Sequence, residues 1–567
     1  MSEIEFKKNV LTYDGQIICS NLKISRGENI ENSDILMVYR YPNIRNSIVE
    51  ITIPLSKATN KKYLYNILLD KGFPLDPQNK EMSDSICEYL STYIPKKVIL
   101  LSPQTGWYQS EKGEYCHVIP KKTFGFNKFP VKFINENPDT KYIGRFGSFE
   151  NYQKALDLCK YSPPAILAVG ASLAAFYIAP FGFETFGLHL YGRSSCGKTT
   201  IGSLAGATLC NPMQYITWKI TEAGVEEACF NHNGRCIIFD EAKLISKNEA
   251  QIAATISDLS YFICSGKTKK RSFVYNVSTG SNVGAWHLVF ISTGEFGIIE
   301  NALSVGHDKD DGEKLRFIDV PAIMSNEYGV FEKLPKNYSS SKALIQDIQT
   351  LIKNNFGWLG YHYLSKMVHK LNSDKADEFR ATVNEYIQDF ESKCDLGCKQ
   401  GYGQRFLHRF AIIYASLMMA NKWKLVPWAK KRIFKSIQKM YAISLNCIRD
   451  NTTILKEGLN ILKKTLVKSS ENYVDLDELS SKDEILSEWE NKKFFGKKQG
   501  KVFSWVIPSK VFKSWFLTQK QCTLVEEYLE DLIEKDGEGY ALFNLGYKIR
   551  KRAIVLNKKK LKELLSE

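Results

Sequence analysis

The pattern of apolar and polar positions divides the chain into four stretches. Over residues 1–145, β-branched and aromatic residues alternate with polar ones between turn signals, as in Asp34–Pro42 (DILMVYRYP) and Asn46–Leu55 (NSIVEITIPL). This period of two predicts a mostly β region, with one helix near Ser83–Tyr93 and a hairpin turn at Glu111-Lys112-Gly113. From about 146 to 345, short wholly apolar runs alternate with helical stretches, which predicts a parallel sheet covered by helices on both faces. Residues 346–455 carry the helical period and predict an all-helical subdomain. The remainder, 456–567, reads as helices followed by a strand pair around Tyr540–Phe543 and Ile549–Leu556, a helix-rich winged-helix domain with a β-wing. The acidic segment Glu471–Glu490 reads as the linker before it.

One apolar run invites a membrane reading. Ala165–Phe183 is free of charge, but Pro180 breaks it, small residues fill it, and it leads directly into a glycine-rich loop. A buried helix beside the central sheet is the expectation, with no membrane.

Composition adds the class of partner. A chain of 567 residues suggests roughly three or four domains. With 44% hydrophobic and 25% charged residues it is an ordinary globular sequence. A formal charge of +15 points to a polyanion, nucleic acid before a membrane surface. The thirteen cysteines lack zinc-site spacing; Cys394 and Cys398 have no second pair to complete a metal site. Reduced thiols, and with them a cytoplasmic location, are expected. The first residues, MSEIEFKKNV, contain no apolar h-region, so no signal peptide is expected.

The chemistry concentrates in the central stretch. Gly192-Arg193-Ser194-Ser195-Cys196-Gly197-Lys198-Thr199-Thr200 follows an apolar run. Glycines at both ends of such a turn let successive backbone N–H groups wrap a β-phosphate. Lys198 reaches the β- and γ-phosphate oxygens, and the Thr199 hydroxyl at the helix start serves Mg²⁺. The ligand expected here is ATP with Mg²⁺. Cys236-Ile237-Ile238-Phe239-Asp240-Glu241 is a buried strand that ends in two carboxylates: Asp240 for Mg²⁺, Glu241 to polarise the attacking water. A third apolar run, Trp286–Glu295, ends in Ser292, Thr293 and Glu295, and either Ser292 or Thr293 could stand beside the γ-phosphate. Between these strands, Leu259–Ala285 has no acidic residue and carries Lys267, Lys269, Lys270 and Arg271. A basic hairpin inserted here, repeated around a ring, would face a DNA backbone. Arg316 follows an acidic loop, where an arginine can reach the γ-phosphate of a neighbouring subunit. Arg405 and Arg409 share one helix face, suited to sensing nucleotide from a lid.

Toward the end of the chain, Asn491–Lys520 and Ala541–Lys562 each hold eight Lys or Arg and no acidic residue. Lys548, Arg550, Lys551 and Arg552 are the cations chosen for DNA contact, with Phe494, Phe503, Trp505, Trp515 and Tyr547 interleaved for stacking.

Taken in order, GRSSCGKTT, IIFDE, the basic insert, FISTGE, LRFIDVPA and QRFLHRFAIIYA resemble the AAA+ self-loading replicative helicases of bacterial mobile genetic elements, relatives of the minichromosome maintenance helicases. The resemblance runs from about Thr105 to Ala420, with Thr105-Gly106-Trp107 matching the upstream β region. It implies an α/β fold with an AAA+ P-loop domain and helical lid, and a homo-hexamer that hydrolyses ATP at subunit interfaces and pulls single-stranded DNA through its centre. By the same resemblance, Asp240 and Glu241 form the Walker B pair, Thr293 stands near sensor 1, Arg316 acts in trans and Arg405 serves as sensor 2. Expected partners are single- and double-stranded DNA at a replication origin, and a primase or polymerase. A DNA-binding ATPase switch without unwinding activity would use the same nucleotide residues.

Overall fold

A computed structural model describes residues 3–30, 33–125, 131–134, 143–213, 215–240, 242, 245–246, 248–268, 284–298, 316–394, 401–448, 451–466, 472–491, 493–499, 502–516, 519–533, 535–536, 539–540 and 542–564. The chain forms two compact units, Met1–Met440 and Tyr441–Glu567. The division falls inside one helix, Lys430–Ile448, whereas the periodicity draws its last boundary at 455.

The first unit opens with a three-stranded antiparallel sheet, Ile4–Lys7 (β1), Val10–Tyr13 (β2) and Gln16–Cys19 (β3). A five-stranded sheet follows, built from Lys23–Asn29 (β4), Ile35–Pro42 (β5), Ile48–Pro54 (β6), Val98–Ser102 (β7) and, at its edge, Val131–Phe133, in the order 131–133, β7, β4, β5, β6. Alternation along β5 turns Met37, Tyr39 and Tyr41 into the core and leaves Arg40 outside. The core face is closed by three helices, of which the last is the one expected near Ser83–Tyr93 and the first two were not separated from the strands. These are Leu55–Ala58 (α1), Lys61–Asp70 (α2) and Lys80–Thr92 (α3), the last two capped by the side chains of Asn60 and Asn79. Gly106–Gln109 (β8) and Tyr115–Ile119 (β9) form the expected hairpin, with Gly113 at φ 82° in its turn; Lys122–Phe124 (β10) extends it, and Val131–Phe133 is β11.

The middle of the chain builds a parallel sheet in the order β13-β14-β15-β12-β16, where β12 is Phe186–Tyr191, β13 Ile216–Thr217, β14 Cys236–Asp240, β15 Val289–Gly294 and β16 Phe317–Pro321. Phe149–Leu158 (α4), Pro163–Ala174 (α5), Ile178–Phe181 (α6), Lys198–Gly206 (α7), Glu222–Asn231 (α8) and Glu249–Ser265 (α9) are its helices. Every residue of α5 is buried, and Ser162 caps it. Among the described residues Pro163–Phe181 is the one helical stretch long and apolar enough to cross a membrane, and 89% of its most apolar window is buried inside the fold. Gly187 in β12 has a packing reason: a Cβ there would run into the Phe290 ring of neighbouring β15.

Helices Ser341–Asn354 (α10), Trp358–Leu371 (α11), Ala376–Cys394 (α12), Gly401–Lys422 (α13) and Lys430–Ile448 (α14) follow. α13 packs on α12 and α5, where the bare backbone of Gly170 meets Ile413 and Leu417.

The second unit differs from the helix-rich expectation. After Asn451–Thr465 (α15) it is organised on a five-stranded sheet, in the order β17-β18-β19-β23-β22: Tyr473–Asp475 (β17), Phe494–Gln499 (β18), Val502–Pro508 (β19), Leu542–Gly546 (β22) and Ile549–Asn557 (β23), with Lys535–Asp536 (β20) and Gly539–Tyr540 (β21) as a separate pair. Lys482–Glu490 (α16), Ser509–Trp515 (α17), Gln519–Tyr528 (α18) and Lys558–Leu564 (α19) complete it. Both sheet faces are covered: Phe494, Trp505 and Ile554 belong to one core, Phe495, Val506 and Ala553 to the other. A strand buried on both faces shows no alternation, which is why β18 and β19 escaped the pattern. It also corrects two readings. Phe494 and Trp505, offered for base stacking, are core side chains at 0% and 3% exposure. The acidic segment is folded rather than a linker, with Leu476 and Ile485 in the second core and Ser481 capping α16.

Gly187→Ala should lower the thermal unfolding midpoint, because overpacking of this kind costs about 1–3 kcal/mol. Adding Phe290→Leu should recover part of the loss. An unchanged midpoint in the single variant would contradict the close packing of β12 on β15.

Candidate functional site

At the C-terminal end of β12 the chain turns sharply into α7. Gly197 at φ 107° is the residue before the helix, and a Cβ on it would meet Val330 Cγ2 at 2.9 Å. Ser195 also adopts a left-handed conformation, φ 59°. The loop is therefore a tight turn that runs into the start of α7, the backbone arrangement an anion cradle requires. Lys198 is buried and turned back into it, donating to Gly192 O at 2.7 Å and Arg193 O at 2.8 Å. The Thr199 side of the loop is exposed, while Thr200 is buried. A strap clasps the loop from outside: Val330 N donates to Cys196 O at 3.2 Å, and the Arg193 guanidinium donates to Asn326 O.

Opposite the cradle, the ends of β14 and β15 supply the polar partners. Asp240, 6% exposed, accepts a hydrogen bond from the Thr293 hydroxyl through Oδ1. Loop and strand ends enclose a cleft of about 900 Å³, lined by Lys198, Thr199, Asp240, Thr293 and Glu295 among others. Strand alternation puts Ser292 and Thr293, the two residues left open, on different faces of β15. Thr293 faces the cleft, whereas Ser292 faces the core, where it accepts from Trp218 Nε1 at 2.9 Å and lies 2.9 Å from His189 Nδ1. His189 Nε2 is 2.9 Å from Phe296 O. Because that carbonyl only accepts, Nε2 carries the hydrogen and Nδ1 accepts from Ser292, leaving the ring neutral. Burial holds its pKa down at about 4, with the nearby Lys198 charge adding to the effect against the Phe296 bond.

Lys198, Thr199 and Asp240 are the lining residues that could hold a nucleoside triphosphate with Mg²⁺. Lys198 already satisfies its ammonium protons on oxygens of the loop, the positions phosphate oxygens would compete for. Among the described residues no group of three His, Cys, Asp or Glu could hold a metal ion. Mg²⁺ is ordinarily held by one or two carboxylates with substrate phosphates, and Asp240 with the Thr199 hydroxyl fits that mode.

A fourth wall was not legible in the sequence. Ser341, Lys342, Ile345, Gln346 and Gln349 of α10 line the same cleft, and Gln349 Nε2 donates to Thr200 Oγ1 at 2.9 Å. Ser340 before an amphipathic run marks a helix start. No local signal says that this helix folds back against α7.

The remaining candidates fall elsewhere. Arg316 stands just before β16, and its carbonyl accepts from Gly187 N at 2.8 Å; its guanidinium lies over Tyr261, 5.7 Å from the ring centroid. That is the opposite end of the sheet from the loop. Arg409 is buried at the same end, donating to Glu184 at 3.2 Å and facing the Phe186 ring, with its Nη1 unbonded among the described residues. Burial lowers its pKa, and the Arg316 charge works in the same direction. Arg405, one turn earlier, is exposed and is not among the residues that line the cleft. Glu241, Lys269, Lys270 and Arg271 lie outside the described residues. Lys267 forms an antiparallel bridge with Ala285, and Thr268 N donates to Gly284 O at 3.1 Å, so the two ends of the basic insert run side by side. In the second unit, Lys548, at φ 61° in the β22–β23 turn, is exposed together with Arg550 and Arg552, and Lys551 is half-buried beside them. Arg552 donates to Tyr540 O at 2.9 Å.

Comparison with known proteins bears first on the fold. This is a mixed α/β chain of several sheets and helices, and over 100% of its length it is similar to 99% of a solved structure described as "SCCmec type IV Cch - active helicase", with a TM-score of 0.58 at 15% identity. Residues 2–278 match a family model described as a domain of unknown function (DUF927). A second solved structure, the apo A form of the NrS-1 C-terminal region, aligns with 74% of this chain and 92% of its own at 12% identity, with a TM-score of 0.27. No curated protein matches the chain.

The neutral His189 gives a pH test. A free histidine titrates near 6.5 and the folded one at about 4. Between these values the unfolded chain binds a proton that the folded chain refuses, so stability is full above about pH 6.5 and falls as pH drops toward 4. Urea midpoints should fall from pH 7.5 to 5, and less steeply in His189→Gln. An equal slope in both proteins would contradict the buried neutral ring.

Proposed function

We propose that the chain is an ATP-driven DNA helicase and replication initiator of a mobile genetic element, working as a ring. ATP with Mg²⁺ binds the cleft at the ends of β12, β14 and β15. Lys198 and the loop N–H groups bind the β- and γ-phosphates, and Thr199 with Asp240 holds Mg²⁺, which when bound neutralises charge on the phosphate oxygens. Thr293 orients the Asp240 carboxylate and faces the γ-phosphate, and Lys342 brings a second cation to the same cleft. Glu241 acts as the base for water. The basic insert from Lys267 to Arg271 grips single-stranded DNA, and the cations of β23 with Lys548 contact the origin. A primase or polymerase would act on the strand exposed.

One observation carries the reading of a multi-subunit motor. Arg316 immediately precedes β16 while the loop immediately follows β12, at opposite ends of adjacent parallel strands. At about 3.3 Å per residue, the length of β12 separates them by roughly 17 Å. An Arg316 that acts on a γ-phosphate would therefore act on one bound by another chain, and in this reading hydrolysis is shared across an interface. The whole-chain likeness to a solved structure described as an active helicase supports the helicase part of the proposal.

Lys198→Ala should abolish binding of a fluorescent ATP analogue; retained affinity would remove the phosphate role. For Arg316→Ala, mixing with Lys198→Ala protein should restore part of the ATPase activity each lacks alone. No recovery at any ratio would count against the shared site. A strand-displacement assay on forked DNA separates the motor from a DNA-binding switch, which would hydrolyse ATP without displacing a strand.

A further inference from the structure

The five-stranded sheet of the N-terminal region has one face in the core and one outside it. Strand pairing sets Lys23 opposite Arg40, Arg40 opposite Glu50, and, at the other edge, Lys132 opposite Leu101. Residues directly opposite share a face. On β5 the face carrying Arg40 is the one turned away from Met37, Tyr39 and Tyr41. This outer face floors a cleft of about 1310 Å³, bordered by the segment Tyr93–Lys97 and by the β9–β10 turn with Lys121 and Lys122. Seven of the lining residues are Lys or Arg, and the single acidic one, Glu50, is already bonded to Lys132. Among the described residues the other six cations form no ion pair.

Cations gathered in this way repel one another, and a polyanion relieves the repulsion. The volume exceeds the roughly 300–1,000 Å³ of a small-molecule cleft and suits an extended chain. Apolar groups stand beside the charges. Phe6 and Tyr93 meet edge to face at 5.3 Å, and Ile94 is 80% exposed. Phosphate contacts next to apolar surface fit a strand whose bases are unpaired, since in a duplex the base faces are stacked inside and cannot lie against apolar side chains.

We propose that this cleft binds single-stranded nucleic acid through its phosphate backbone, as a contact site additional to the basic insert and the C-terminal cations. It depends on charge and shape alone, so its test is run without nucleotide and stands whether or not the chain hydrolyses ATP.

The test measures fluorescence anisotropy of a labelled oligothymidylate with the full chain across a salt series. The variant combines Lys23→Gln, Lys96→Gln, Lys97→Gln and Lys122→Gln; a partner variant places Arg at the same four positions. At ~100 mM salt the Gln variant should bind at least ~10-fold more weakly, and its slope of log affinity against log salt should shrink by about 3, for four contacts at ~0.7 each. The Arg variant should keep both. Wild-type affinity and slope in the Gln variant would overturn the proposal. So would a loss confined to a duplex of the same length, or one confined to an oligoglutamate competitor, which would mark an acidic protein as the partner. If the Gln variant does not fold, crosslinking of a 4-thiothymidine oligonucleotide to the wild-type chain decides. Crosslinks within Lys23–Arg40 or Tyr93–Lys122 support the site, and crosslinks found solely elsewhere overturn it.

Discussion

Strand β12 is the constraint on which the rest of the first unit depends. Its last residue leads into the loop that holds Lys198, its middle residue His189 is bonded into the core, and its first residues abut Arg316 and Arg409. The hydrogen-bond chain from Trp218 through Ser292 and His189 to Phe296 ties the approach to β13, the strands β15 and β12, and the turn beyond β15 into one register. Each donor in it is matched to an acceptor, and a buried network of this kind is rigid when every member is satisfied. The geometry of the cleft is therefore set in the core beneath it rather than by the loop alone.

Much of this was legible because the signals are local. An apolar run that ends in a polar residue marks a buried strand whose end carries polar side chains, and that pattern picked out Asp240 and the Ser292–Thr293 pair, while the glycine-bracketed loop picked out Lys198. Choosing between Ser292 and Thr293 required knowing which face of β15 lies toward α7, which a single strand does not encode. The α10 wall was hidden for a related reason: Gln349 and Thr200 are 149 positions apart, and a helix start says nothing about where the helix docks. Strands β18 and β19 were missed because a sheet buried on both sides loses its period of two. The interleaved lysines then drew attention to charge at positions whose aromatic neighbours are core.

Positive charge is distributed in a way that separates its roles. Lys198 and Arg409 are buried and committed, the one to loop carbonyls and the other to Glu184. A guanidinium held at 5% exposure with one unbonded nitrogen costs stability unless its charge is answered, and Glu184 answers it. Among the described residues, surface cations such as Lys96, Lys97 and Lys548 form no ion pair. The net excess of +15 thus has a structural part, fixed within the fold, and a solvated part that gives long-range attraction to phosphate.

The N-terminal hairpin bears on the cleft through β14. Thr105 Oγ1 donates to Asn231 O at 3.1 Å and to Asn233 O at 3.0 Å, and His117 Nε2 donates to Gly234 O at 3.0 Å. Gly106 and Gly234 pass so closely that a Cβ on Gly234 would come within 2.6 Å of the Gly106 Cα. These bonds grip the turn that feeds β14, and the far end of β14 carries Asp240. Burial keeps His117 neutral, with a pKa down near 4, so the grip does not vary across the physiological pH range. Asn372 holds the same hairpin from the helical side, bonding both the N–H and the carbonyl of Tyr115 at 2.7 Å. A close-packed core transmits displacement rather than absorbing it. Movement of the hairpin must therefore either shift β14, and Asp240 with it, or break the hydrogen bonds that join them.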